Sequence, residues 1–195
     1  MGTSFARIYN RFLGKITDDM YMELTPEDTI KDLRNLLIDA IPGFEFPRKA
    51  LMGNYVLETL VVEENEVQQD DFIIGVVWGQ LPDDGSDPIP EVYIEKSHFL
   101  VDLDEEEENI LAILMMNAWL QRQVTSIENT RMKYSGSDFK FTSQANHLAK
   151  LLNLLTETQR QSHHMQRLYK RRKTDSKGNI SSNWSVLRKV SALDD

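Results

Sequence analysis

Hydrophobic residues in the first 54 positions recur at the spacing of α-helices. Near the amino terminus, apolar residues separated by three, one, three and one positions form the stripe of one amphipathic helix: Phe5, Ile8, Tyr9, Phe12 and Leu13. We expect this first helix to dock on the core of the protein and to stop near Gly14.

The second helix has the clearest start signal in the sequence, at Thr25-Pro26-Glu27-Asp28. Thr25 can accept a hydrogen bond from a free N–H group of the first turn, and Pro26 needs no donor there. The two carboxylates favour the positive end of a helix. The apolar positions that follow predict one buried face, and Pro42-Gly43 ends the helix; that face comprises Ile30, Leu33, Leu37, Ala40 and Ile41.

Between residues 55 and 101 the pattern changes to short runs rich in β-branched and aromatic residues. These runs cover residues 55–57, 60–62, 72–78, 92–94 and 99–101. Polar stretches separate them: residues 63–66 and 68–71 predict an exposed connection, and the prolines and glycine of residues 81–88 exclude regular structure. We therefore predict a small antiparallel sheet or a pair of hairpins inserted between helices.

Residues 102–108 form an acidic run that immediately precedes a long apolar segment beginning at Ile110. Negative charge is stabilising at a helix amino terminus, so this position favours a capping role. Metal binding is disfavoured, because clustered carboxylates without the required turn spacing make a poor calcium loop. The helix that follows is apolar on more than one face. We expect it to be the central core helix, reaching Ile127 and Met132 before a break at residues 135–138.

A last long helix is predicted to begin near Thr142 or Ser143. Its apolar or small residues fall on or near one side: Leu148, Leu151, Leu152, Leu155, Ser162, Met165, Leu168 and Tyr169. A continuous helix to Lys173 would span about 45 Å, which exceeds what a compact core of this size requires. We expect part of this helix to project onto a neighbouring molecule.

These elements together predict an α+β, mainly α-helical fold. It consists of a helical bundle with a small β-rich insertion, a long C-terminal helix and an extended tail. The expected division is residues 1–54 for the N-terminal core helices, 55–101 for the insertion, 102–173 for the core and long C-terminal helices, and 174–195 for a flexible tail. The tail is polar with few apolar anchors, so we expect it to be disordered alone and to order on a partner.

The composition restricts the chemistry open to this chain of 195 residues. The chain has no cysteine, which excludes a disulfide framework, a thiolate nucleophile and a cysteine-based zinc site and favours a reducing compartment. No stretch of about 18 apolar residues occurs, which argues against a membrane span. The hydrophobic fraction of 41% beside 27% charged residues is ordinary for a globular protein.

The net charge of −9 hides a strong asymmetry along the chain. Residues 1–109 contain 8 Lys or Arg against 25 Asp or Glu, a net charge of −17, whereas residues 110–195 contain 14 against 6, a net charge of +8. Opposite potentials steer encounter and fix orientation, so copies of the chain could stack head to tail or bind charged neighbours. Alternatively, each half has a solvated face of one sign.

Motifs that carry catalysis are missing from the sequence. It contains no glycine-rich phosphate loop, nucleophile elbow or His-Glu-x-x-His pattern. His163 and His164 are adjacent, and adjacent residues on a helix point about 100° apart, so we interpret them as a solvated or interfacial pair rather than metal ligands. We expect no catalytic, cofactor-binding or metal-binding residues, and no enzymatic activity.

The basic end of the last helix is the best candidate for contact with a partner. Four consecutive cations there also complement the negative end of the helix dipole. An acidic protein surface is favoured over nucleic acid because the sequence pI is about 5.0 and the chain has a single short basic run. The partner-binding candidates are Arg167, Tyr169, Lys170, Arg171, Arg172 and Lys173, together with Trp184 and Leu187 in the tail.

Several phrases resemble those of small tailed-bacteriophage neck proteins, the adaptor or head-completion family beneath the portal. The resemblance covers about the helical two thirds of the chain, and residues 55–101 depart from the simplest adaptors. The phrases are residues 4–9 (SFARIY), 36–42 (LLIDAIP), 110–120 (ILAILMMNAWL), 126–134 (SIENTRMKY), 138–141 (DFKF) and 145–151 (ANHLAKL).

The resemblance implies a structural protein of the virion neck, made in the host cytoplasm. It would form a homo-oligomeric ring, usually of twelve copies, that binds the portal and an adjacent neck or tail-completion protein and lets genomic DNA pass. The basic helix and tail would then grip the portal or a neighbouring subunit. An acidic channel or surface would repel the DNA backbone; its candidates are Glu63, Glu64, Glu66, Asp70, Asp71, Asp83 and Asp84.

Two other classes of function stay open on the sequence. A small nucleic-acid-binding regulator would use residues 167–173 and the tail, and its affinity would fall steeply with salt. A hydrolase would need a pocket that brings His147 or His163 next to carboxylates, and nothing in the spacing favours one.

Overall fold

The computed structural model describes residues 2–16, 20–78, 90–133, 142–174 and 180–182. It contains five α-helices in this part of the chain: α1 (Phe5–Leu13), α2 (Met20–Glu23), α3 (Pro26–Ala40), α4 (Glu105–Lys133) and α5 (Thr142–Arg171). The strands are β1 (Tyr55–Val56), β2 (Thr59–Glu63), β3 (Phe72–Trp78), β4 (Pro90–Glu95), β5 (His98–Phe99), β6 (Arg172–Thr174) and β7 (Ile180–Ser182). Short 3₁₀ turns cover Ile41–Gly43 and Glu64–Glu66. The predicted α+β, mainly helical class is confirmed.

The amphipathic helix α1 lies in the centre of the core, as its stripe predicts. The Ser4 hydroxyl accepts a hydrogen bond from the Ala6 N–H at 3.2 Å and caps the helix, which ends before Gly14. Phe5 is the first residue of the helix, and the centroid of its ring lies 4.7 Å from that of Phe99. This contact fixes α1 against β5. Four side chains of the stripe are fully buried: Phe5, Ile8, Tyr9 and Phe12.

Helix α3 starts where the sequence signal places it. The Thr25 hydroxyl accepts a hydrogen bond from the Asp28 N–H at 3.2 Å, and Pro26 occupies the first turn, where no donor is needed. The buried face of α3 packs mainly on α4. Its buried residues are Thr29, Ile30, Leu33, Leu36, Leu37 and Ala40. α2 was not predicted.

The strands of the insertion form antiparallel sheets, as predicted. A three-stranded sheet has the order β2-β4-β3, and β1 pairs with β5 beside it. The sheet lies against α3, and at Gly75 of β3 a Cβ atom would lie 2.6 Å from Cγ of Pro26. Glycine is therefore required at this crossing.

The two longest helices extend beyond the main core. α4 has 29 residues, which corresponds to about 43 Å, and α5 has 30 residues. The first half of α4 belongs to the main core, whereas its second half packs on α5 in a separate small cluster formed by Leu120, Val124, Leu148 and Leu155. The break between the helices was predicted at residues 135–138, which lie outside the described residues.

Helix α5 ends at Arg171, two residues before the predicted limit of Lys173. The chain continues directly into a two-stranded ribbon, in which Arg172 of β6 pairs with Ser182 of β7. This ribbon was not predicted from the sequence, which was interpreted as a flexible tail from residue 174. The remaining residues of the tail lie outside the part that the structure describes.

Candidate functional site

Three exposed arginines of α5 lie on the side of the helix opposite its core contacts. Leu155, Ser162, Gln166 and Tyr169 are buried, whereas a second row of side chains is exposed. At about 100° of rotation per residue these exposed side chains fall on one solvent-facing line. We call this line the basic stripe; it consists of Arg160, His164, Arg167 and Arg171.

Not every predicted member of the basic surface is available to a partner. Tyr169 is 0% exposed, so it does not lie on the surface on which the sequence interpretation placed it. Its ring packs 5.4 Å from that of Phe44, and the Arg48 guanidinium carbon lies 4.2 Å from its centroid. Tyr169 therefore anchors α5 to the core.

Two further cations of the basic run make contacts within the chain. Lys170 Nζ lies 3.9 Å from the centroid of the Phe46 ring, a cation–π contact. Arg172 Nη1 donates a hydrogen bond of 2.9 Å to Glu106 Oε1 at the start of α4. Arg167 and Arg171 are exposed. The side chain of Lys173, and Trp184 and Leu187, lie outside the described side chains.

The acidic run before α4 does more than cap the helix. Asp104 Oδ1 accepts a hydrogen bond from the Glu107 N–H at 2.8 Å, and Glu107 Oε2 accepts one from the Asp104 N–H at 3.0 Å. This reciprocal pair is a capping box, as the expected capping role requires. The sequence interpretation missed that Glu107 and Glu108 are themselves buried.

Buried Glu107 is held by donors from three parts of the chain. It accepts hydrogen bonds from the Tyr169 hydroxyl and from Lys49 Nζ, the latter at 3.0 Å, besides the N–H of Asp104. Burial raises the pKa of Glu107, but these hydrogen bonds, led by that of Tyr169, outweigh burial and hold the pKa below its usual value. Burial and the bond to Glu107 raise the pKa of the Tyr169 hydroxyl.

Two other buried carboxylates, Glu108 and Glu95, are paired with arginines. Glu108 lies 2.9 Å from Arg7 Nη2 and 3.0 Å from Arg11 Nε, which belong to α1. Glu95 of β4 receives two hydrogen bonds from Arg34 of α3, at 2.9 Å and 3.1 Å. These carboxylates are buried and neutralised by cations, so the arrangement holds elements together.

The predicted acidic surface is present in part. Glu63, Glu64, Glu66 and Asp70 are exposed, and the first three lie at one end of the three-stranded sheet. Asp71 instead forms an ion pair with Lys96 and is largely covered. The hydrogen bond from Lys96, followed by one from the Gln68 N–H, lowers the pKa of Asp71. Asp83 and Asp84 lie outside the described residues.

A groove of about 470 Å³ separates α3 from the sheet. Arg34 lies in the groove, but its guanidinium is already bound to Glu95, Thr59 and the carbonyl of Glu58. The lining is otherwise mostly apolar, with Ile30, Ile38, Leu57, Val61 and Tyr93.

The adjacent histidines of α5, His163 and His164, are both exposed. His163 Nδ1 lies 3.4 Å from Glu45 Oε1. Among the side chains that the structure describes, no three His, Asp or Glu residues form a group that could hold a metal ion.

Within the described residues, no helix is both long enough and apolar enough to cross a membrane.

Comparisons with protein families, curated proteins and solved structures found no match.

Proposed function

We propose that this chain is a structural subunit of a tailed-bacteriophage neck. In this proposal it forms a ring of twelve copies beneath the portal, joins the head to the tail and extends the DNA channel. The observation that carries the proposal is the separation of charge between two elements: exposed carboxylates are on the sheet and exposed cations are on α5. The resemblance of the helical phrases to neck proteins supports it.

Each part of the molecule has a role in this proposal. Exposed Glu63, Glu64 and Glu66 give the DNA channel a negative surface, which repels phosphates and lets the genome slide. The basic stripe holds an acidic surface of the portal or of the neighbouring copy. α4 and α5 supply an extended helical arm, and the C-terminal tail makes a further contact with the portal.

The experiment is reconstitution with the portal protein of the same phage. The purified chain is mixed with assembled portal, and the complex is examined by native mass spectrometry and cryo-electron microscopy. The expected result is a layer of twelve copies on one end of the portal. The proposal fails if the chain neither binds the portal nor forms rings at high concentration, whereas a monomer in isolation does not contradict it.

A second candidate is a nucleic-acid-binding regulator, which the solvent-facing basic stripe favours. It predicts binding of a 20-base-pair DNA duplex in a fluorescence anisotropy titration. The logarithm of its affinity should fall with the logarithm of salt concentration, with a slope of about −0.9 per phosphate contacted. Neutralising Arg160, Arg167 and Arg171, the arginines of the basic stripe, should abolish this binding. The neck proposal expects no specific duplex binding at physiological salt.

A further inference from the structure

Strand β2 is an edge of the three-stranded sheet, and its outer side presents backbone donors and acceptors. The hydrogen bond of 3.1 Å from the Lys96 N–H to the Glu58 carbonyl fixes which residues bond to β4. Because bonding residues alternate along an antiparallel pair, the N–H and C=O groups of Thr59 and Val61 point away from β4. Among the described strands, β2 pairs only with β4.

The other edge strand, β3, is less suited to receive a further strand. Its pairing with β4 is interrupted by a register shift between Ile73 and Gly75, and such bulges disturb an edge. The pairing of β2 is continuous from Thr59 to Glu63, and this strand contains no proline. An uninterrupted edge of this kind is a template for an added strand.

The groove between α3 and the sheet lies beside this edge. Helix α3 packs mainly on β3 and β4, so the groove of about 470 Å³ separates it from β2. Ile30 and Ile38 line the groove on the helix, and Leu57 and Val61 line it on the other side. Val61 is 49% exposed and Leu57 47%. The groove is therefore open in the single chain, and an added strand could direct apolar side chains into it.

The end of the groove nearest Glu63 is acidic. The register places Glu63 directly opposite Glu91 of β4, on the same face of the sheet as Val61. Both carboxylates are exposed, and like charges directly opposite each other destabilise a sheet. Neither forms an ion pair with a described residue. An added strand therefore fits best with a cation opposite Glu63 and an apolar side chain opposite Val61.

The C-terminal tail contains a segment with this pattern. Residues 188–192 read Arg-Lys-Val-Ser-Ala. In an extended strand alternate residues share one face, so Arg188, Val190 and Ala192 would point the same way. Residues 183–195 follow β7 and span about 43 Å when fully extended, which is enough to reach an adjoining molecule.

Charge selects the direction of the added strand. In an antiparallel strand, placing Val190 opposite Val61 puts Arg188 opposite Glu63. A parallel strand with the same central pair would put Arg188 at the other end of the groove, where Arg34 already lies. The antiparallel direction therefore brings opposite charges together and avoids opposing two arginines.

We propose that residues 188–192 of one copy add to β2 of the next copy as an antiparallel strand. The segment comes from a second copy because the groove is open in the single chain. The contact joins two different surfaces, so repeating it builds a ring or an open chain. This proposal rests on the proposed function, because it names a contact between neighbouring copies of the neck ring. Trp184 and Leu187 precede the added strand and stay available to the portal.

The first test uses engineered cysteines, since the native chain has none. Full-length Val61→Cys and Val190→Cys variants are purified separately, mixed in equal amounts and oxidised. Residues that exchange hydrogen bonds across antiparallel strands have Cα atoms about 5.5 Å apart, a separation that a disulfide can bridge. The expected product is a mixed disulfide between the two variants, identified by mass spectrometry.

The matched control for this test replaces Val190→Cys with Ser191→Cys. Its side chain would point to the opposite face of the added strand, so the mixture with Val61→Cys should give about tenfold less mixed disulfide. Equal yields from the two positions overturn the proposal, and so does a mixture without any mixed disulfide. An intramolecular disulfide in Val61→Cys/Val190→Cys at high dilution would place the segment in its own groove and also overturns it.

The second test exchanges the two charges of the contact and measures self-association by sedimentation velocity. Glu63→Arg and Arg188→Glu should each weaken self-association by about tenfold, because each opposes like charges. The double variant Glu63→Arg/Arg188→Glu pairs opposite charges again and should recover association. The matched control is Asp70→Arg, which makes the same charge change at an exposed position outside the groove and should associate as the native chain does. Circular dichroism verifies that all four variants are folded.

The outcomes separate this contact from the proposed function. A double variant that associates no better than the single variants overturns the contact, and so does a native chain that stays monomeric up to about 1 mM. Portal binding is measured separately with the native chain. A portal complex without the disulfide between positions 61 and 190 would overturn the contact and leave the neck proposal standing. The disulfide without portal binding would do the reverse.

Discussion

The hydroxyl of Tyr169 donates a hydrogen bond to the carboxylate of Glu107, and both side chains are buried. The two residues are 62 positions apart, near the end of α5 and the start of α4. This bond attaches the last turn of the longest helix to the capping box of the central one. It also explains why Tyr169 cannot serve as a partner-binding residue.

We predict that Tyr169→Phe destabilises the protein by about 1.5 to 3 kcal/mol, because hydrogen bonds to a charged group contribute that much. The free energy of unfolding is measured by urea denaturation. The matched control is Tyr9→Phe. The Tyr9 hydroxyl is buried and has no hydrogen-bond partner among the described residues, so its removal should be neutral or stabilising. Equal losses in the two variants would contradict the assigned role of Tyr169.

The stability of the protein should depend on pH through Glu107. Its pKa is lowered in the folded state, so at acid pH the unfolded state binds more protons and unfolding is favoured. The contribution is complete above the unfolded value of about 4.3 and is lost as pH falls through the lower folded pKa. Glu107→Gln should therefore make the free energy of unfolding depend less steeply on pH below about pH 4.3.

The control for the pH prediction is Glu157→Gln. The pKa of Glu157 is also lowered, by its hydrogen bond with Arg160, but this ion pair is exposed on α5. Surface ion pairs contribute little to stability. Glu157→Gln should therefore change the pH dependence of the free energy of unfolding much less than Glu107→Gln does. Equal changes in both variants would mean that burial of Glu107 is not the cause.

The pair of Arg34 and Glu95 predicts strongly non-additive mutations. Arg34→Leu leaves the buried Glu95 carboxylate without its cation and should cost about 3 to 5 kcal/mol. The double variant Arg34→Leu/Glu95→Leu removes both charges and should be more stable than the single variant. Urea denaturation of the single and double variants measures the difference. A double variant less stable than Arg34→Leu would contradict this account.

Gly75→Ala should weaken the packing of the sheet on α3. Its Cβ atom would lie 2.6 Å from Cγ and 3.2 Å from Cβ of Pro26, so we expect a loss of about 1 to 3 kcal/mol. Pro26→Ala shortens the opposing side chain, so the double variant Gly75→Ala/Pro26→Ala should recover part of the stability. Thermal unfolding is measured for the native chain, the two single variants and the double variant. If the stability changes of the two single variants simply add in the double variant, the contact with Pro26 is not the cause.

The helices could be predicted from the sequence because their signals are local. The stripe from Phe5 to Leu13 and the cap at Thr25 each depend on neighbours within a few positions. The strands could be located for the same reason, since β-branched and aromatic runs are local features. The order β2-β4-β3 needs pairing between distant residues and was not predicted.

The candidate site was predicted less well, since exposure is a tertiary property. Glu107 and Glu63 are both members of acidic runs, yet one is buried and the other exposed. The partners that bury Glu107 lie 58 and 62 positions away, at Lys49 and Tyr169. The spacing of Asp104 and Glu107 was a usable signal for the capping box. Nothing local signals that Tyr169 is buried rather than part of the basic surface.

The burial of Tyr169 beside the start of α4 has a consequence for biosynthesis. Phe5 and Tyr169 belong to the same hydrophobic cluster, so the main core joins residues from α1 and from the last turn of α5. A ribosome must release every residue from Phe5 to Tyr169 before that cluster can close. The nascent core therefore stays unfinished while these helices are made and depends on late closure by α5.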